Sequence, residues 1–118
     1  MEESILITIK KLLGIDEDCE DFDTDVMVHI NSIFPVLTQL GVGPDEGFEI
    51  TSDKEKWTDF LGTDSKLLVT VRSYLYLRTR MLFDPPAGSV ATSFENTIQE
   101  FEWRLNVQVD PKNPTPNE

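Results

Sequence analysis

The sequence predicts an all-α protein: a small bundle of about four main helices with a short extra helix, an irregular central loop and an extended C-terminal tail. Three observations predict it. Apolar residues recur at steps of three and four in four separate segments, the spacing that gathers them on one helix face. Capping residues, glycines and prolines fall where those stripes begin and end. The length of 118 residues, 39% of them hydrophobic, suits one compact domain with a modest core.

The first stripe follows Ser4: Ile5, Ile9, Leu12 and Leu13 share a helical spacing, and Gly14 can stop the helix. The second runs through Val26, Ile30, Ile33, Leu37 and Leu40, with Asp23 or Thr24 as N-cap and Gly41 as the stop. Pro35 lies inside it and lacks a backbone donor, so a kink or a split near Ile33 and Phe34 is expected. "GVGPDEGFEI" then reads as a loop with a short extended piece at Phe48 to Thr51. "SDKE", Ser52 to Glu55, has capping-box spacing and predicts the start of a short helix ending near Gly62.

Asp64 is the expected cap of the next long helix, which runs through "LLVTVRSYLYLRTRMLF" and stops at Pro85-Pro86. Apolar residues on more than one of its faces mark it as the most buried element, with Leu68, Val71 and Leu75 in the core. The last helix starts near Ser89. Val90, Phe94, Ile98, Phe101 and Leu105 form its stripe, and Glu100 and Arg104 make an (i, i+4) pair. After Val109, "DPKNPTPNE" has three prolines and almost no apolar residue. The division is therefore a helical domain over 1–109 and a flexible Pro-rich tail over 110–118.

The formal charge is −12 and lopsided: residues 1–59 hold fifteen acids and four bases, residues 60–118 seven acids and six bases. This argues against a grip on nucleic-acid backbone, which needs clustered Lys and Arg, and fits docking onto basic protein patches. Cys19 is the single cysteine, so no intrachain disulfide forms. No apolar run approaches the roughly 20 residues of a membrane span. The chain starts with two acids where a signal peptide would carry bases, so the expected site of synthesis is the cytoplasm.

No chemistry-bearing constellation emerges. "DEDCEDFDTD", residues 16–25, packs seven carboxylates into ten residues. As a calcium loop starting at Asp16 it would need Gly at its sixth place and Glu at its twelfth, and it has Asp21 and Met27. The better reading is a charged run-in to the second helix, with Asp23 and Asp25 at the positive helix end and the earlier acids in an exposed patch. A zinc site would have only Cys19 and His29 to draw on. His29, the sole histidine, falls at the edge of an apolar stripe, where a partly buried packing role is expected. "GVGPDEG" misses the dinucleotide spacing and follows a helix where that motif follows a strand. The expectation is a protein that is not an enzyme and has no cofactor or metal.

Candidate interaction residues remain. Arg72 and Tyr76 are one turn apart and could stack. With Arg78 and Arg80, Arg72 forms either a solvated helix face or an interface patch. Trp103 falls off the last helix's stripe, so it either meets a partner or packs on another helix.

"INSIFPVLTQLGVGPDEGF", "WTDFLGTDSKLLVTVRSYLYLRTRMLFDPP" and the closing "FEWRLNVQ" together resemble the head–tail connector (adaptor) proteins of tailed bacteriophages and prophages. The resemblance runs from Ile5 to about Gln108. Its most specific parts are the loop "GVGP", the long helix ending in "MLFDPP" and the "EWRLN" ending. It implies a virion structural protein of the neck, made in the host cytoplasm. Such a protein assembles with itself as a ring, usually of twelve copies, under the portal protein. The ring extends a channel through which genomic DNA passes without specific binding, and it docks a stopper or tail-completion protein. By the same resemblance the tail would meet the portal, with Trp103 and Leu105 at its root as candidate apolar anchors; Val109, where the helix passes into the tail, is a further candidate interface residue. The competing reading from the residues is a small acidic DNA mimic or regulator that binds a basic protein.

Overall fold

The computed structural model describes residues 4–62 and 66–109, residues 108 and 109 by their backbone alone. Among these the secondary structure is helical: α1 (Ile5–Leu13), α2 (Asp23–Gln39), the short α3 (Trp57–Leu61), α4 (Leu68–Phe83) and α5 (Gly88–Val109). The all-α bundle expected from the sequence is what forms. Its centre is α4, which packs against α1, α2 and α5.

At α1 the chain does what its punctuation dictates. Ile7 N–H donates to Ser4 Oγ at 3.2 Å, and Gly14 takes a φ of 84° to turn its N–H back onto the Lys10 and Lys11 carbonyls. The end of α2 is equally local. Gly41, at φ 91°, donates to the Thr38 carbonyl and Val42 to the Leu37 carbonyl, the Schellman pattern.

The start of α2 differs from expectation. Neither Asp23 nor Thr24 caps it; the helix begins at Asp23 itself, behind Phe22, with no side-chain cap bond. The Asp23 carboxylate is held instead by Lys10, Nζ to Oδ1 2.7 Å. Pro35 does not split α2, which is continuous to Gln39. The ring removes one donor, the one that would serve the Asn31 carbonyl, while Ile33, Phe34 and Leu37 around it are fully buried and hold the segment on the core.

Further corrections come from long-range contacts. Phe48–Thr51 joins no strand. Within it the backbone of Ile50 is satisfied by a side chain: Asn31 accepts from Ile50 N–H and donates to Ile50 C=O, both at 2.8 Å. The "SDKE" segment forms one of the two capping-box bonds, Ser52 N–H to the Glu55 carboxylate, without starting a helix. The Glu55 carboxylate accepts from the N–H groups of Thr51 and Ser52, and Lys54 N–H donates to Ser52 Oγ. The next backbone is extended, because the Glu55 carbonyl accepts from Ile5 N–H at 2.9 Å and Lys56 bridges Ser4. Only past Lys56 is the chain free to coil, and there the Asp59 carboxylate accepts from the Lys56 N–H at 2.8 Å.

In α4, Val71 and Leu75 are fully buried as expected, whereas Leu68 is only half-buried and its neighbour Leu67 takes the core position. Asp64, the expected cap, lies outside the described residues. In α5, Ile98 and Leu105 are buried and Phe94 and Phe101 partly so. Val90 leaves the predicted stripe and stands half exposed, one turn before Phe94, whose ring Arg80 covers.

The loop between α2 and α3 is folded over aromatic rings. Phe34, Phe48 and Phe60 meet with centroids 4.9 to 5.2 Å apart. Gly43 lies so close to the Phe60 ring that a Cβ there would collide with it, and its φ of 83° is itself one that favours glycine. Trp57 closes the other side, its buried indole N–H donating to Thr8 Oγ1 at 3.1 Å.

Candidate interaction surfaces

The acidic run is organised by a residue the sequence reading passed over. Lys10 is 2% exposed. Its ammonium donates to the carbonyls of Cys19 (2.7 Å) and Glu17 (3.2 Å) and pairs with Asp23. The loop therefore uses its backbone to hold a buried cation, and the side chains of Asp16, Glu17, Asp18, Glu20 and Asp21 stay exposed, as expected of a solvated patch. The signal was present: Lys10 is one turn after Leu6 and one before Leu13, inside the buried side of α1, where a lysine needs a partner. Among the described residues no three His, Cys, Asp or Glu side chains gather as metal ligands would. Also among them, no helix is long and apolar enough to cross a membrane.

The arginines separate. Arg78 donates to Glu102 (3.0 Å) and to the Tyr74 hydroxyl (3.1 Å), and that hydroxyl donates to Glu102 (2.7 Å). The triad ties α4 to α5. Burial, and next the bond to Glu102, push the Tyr74 phenol well above the ordinary tyrosine range, so it remains a donor at any physiological pH. Arg80 bonds the Asp84 carbonyl at 2.7 Å, reaches the Tyr76 hydroxyl at 3.3 Å and covers Phe94. Tyr76 thus partners Arg80, where the sequence spacing had offered Arg72. Arg72 is half-buried, and its guanidinium has no hydrogen bond or ion pair with another described residue. The Arg104–Glu100 pair forms at 2.6 Å on an exposed face.

Of the expected anchors at the tail root, Trp103 is 67% exposed; Val107, one turn on and not among those expected, is half exposed. They form a short apolar strip on the outer side of α5. Leu105 is fully buried and belongs to the bundle core, so it cannot also reach a partner in this fold. The reason is its place in the stripe through Ile98 and Phe101. The side chain of Val109 and all of 110–118 lie outside the described residues. His29 is half-buried beside Phe83, centroids 6.3 Å apart, the packing role its position implied. Phe22 meets the same Phe83 ring edge-on at 5.6 Å while remaining partly open to solvent.

A family model described as phage connector protein matches residues 5–112. Comparison with curated proteins and with solved structures gave no significant match.

Proposed function

The chain belongs to the phage connector protein family, and from that membership we propose that it forms a ring beneath the portal of a DNA-filled head. The ring extends the DNA channel and presents a docking face to a stopper or tail-completion protein. The observation that carries this reading is the family match over nearly the whole chain. The described side chains support a role made of contacts. Among the described residues the Arg72 guanidinium has no ion-pair partner, which leaves it available to a carboxylate of a neighbouring copy. Trp103 and Val107 offer exposed apolar surface of the kind that anchors an interface. No catalytic step is part of the proposal. An acidic exterior repels passing DNA, which suits a channel that must let its cargo slide.

Electron microscopy of the protein mixed with portal-bearing heads tests the proposal. A closed ring of the chain on the portal, usually twelvefold in this family, is the expected result. Particles whose portals stay bare at saturating protein would overturn it.

A further inference from the structure

An open groove of about 630 Å³ runs along the second half of α2, lined by Pro35 and Thr38 of the helix and by Glu46, Gly47, Phe48 and Glu49 of the loop. Its size is that of a small-ligand or peptide-side-chain site. The loop side is fixed from several directions. The Schellman turn at Gly41 sets its departure, Phe48 rests on Phe34 and Phe60, and Asn31 holds both backbone groups of Ile50. A groove on so constrained a loop is pre-formed, and a ligand need not order it on binding.

Its chemistry is specific. Pro35 and Phe48 supply apolar surface. Glu46 and Glu49 are exposed, are its charged residues, and have no hydrogen bond or ion pair with another described residue. Two unbalanced carboxylates beside an apolar surface, in a chain of net charge −12, select a cation borne on an apolar stem and repel acidic segments. The acid-rich first half of a second copy is therefore disfavoured as occupant.

We propose that this groove docks an extended, arginine- or lysine-bearing segment of a partner protein. An apolar side chain of that segment lies against Pro35 and Phe48, and its cations meet Glu46 and Glu49. The loop that looked like a failed dinucleotide motif is, on this proposal, shaped by its glycines to carry a peptide groove. The proposal stands independently of ring formation.

The test is a titration of the isotopically labelled full chain, followed by amide NMR shifts, with the capped peptide Arg-Leu-Arg and with Glu-Leu-Glu as its acidic counterpart. Saturable shifts at Thr38, Gly47 and Phe48 with the cationic peptide alone are expected. The Glu46→Gln, Glu49→Gln double variant, whose changes are both at exposed positions, should bind about tenfold more weakly. Three results would overturn the proposal: no groove shifts, shifts centred on Asp16 to Asp21, or unchanged affinity in the double variant.

Discussion

An ammonium with almost no solvent contact must have its charge answered where it sits. At Lys10 the answer comes from two carbonyls and one carboxylate, all within thirteen residues downstream. This accounts for the shape of a loop whose five acids, Asp16, Glu17, Asp18, Glu20 and Asp21, would otherwise repel one another into an open conformation. It also accounts for the missing cap on α2, since Asp23 faces the lysine. Replacing Lys10 by Met keeps the stem and removes the cation, leaving Asp23 and two carbonyls without their donor. We expect a loss of about 3 kcal/mol, the low end for a broken buried pair because Asp23 keeps some solvent contact. A urea titration with a midpoint equal to that of the parent would show that solvent replaces the ammonium at no cost.

At the scale of elements, α4 and α5 are joined by apolar packing and by the Tyr74–Arg78–Glu102 triad. Arg78→Glu sets a carboxylate against Glu102 and should loosen this contact within a single chain, by about 1–2 kcal/mol for a partly exposed charged hydrogen bond. Adding Glu102→Arg restores opposite signs and should recover part of the loss; additive effects in the double-mutant cycle would deny the coupling. Any part Arg78 plays between copies is superposed on this internal tie. The long helices were legible because each carries its own stripe and its own stops, information local to the segment. The onset of α3 was not, because the Ile5–Glu55 backbone bond that keeps the preceding residues extended joins positions fifty apart in the chain. Pro35 misled for a similar reason: the local cost of a lost donor was visible, and the three buried neighbours that outweigh it were not. Among the candidate interface residues, sequence left Trp103 undecided between core and surface. It also placed Leu105 in both roles, which only the assembled bundle separates.

For the molecule as a whole, the buried Leu105 leaves Trp103 and Val107 as the described apolar groups that α5 can offer beside the Pro-rich segment 110–118. A segment of that composition gains little by burial on its own and is better suited to capture by a partner. Deleting residues 110–118 should therefore leave helicity unchanged by circular dichroism and reduce attachment to portal-bearing heads. Full attachment by the shortened chain would assign docking to the helices alone. The contrast between the two tryptophans has a use of its own. Trp57 is 5% exposed with its indole N–H bonded to Thr8, and Trp103 is 67% exposed. Their emission maxima should differ accordingly, blue-shifted for the first and water-like for the second. A Trp103→Phe variant then carries a single tryptophan, selectively excited apart from Tyr74 and Tyr76, that reports melting, and a Trp57→Phe variant one that reports events at the outer side of α5. Folding and docking thus become two separable colours in one unlabelled chain.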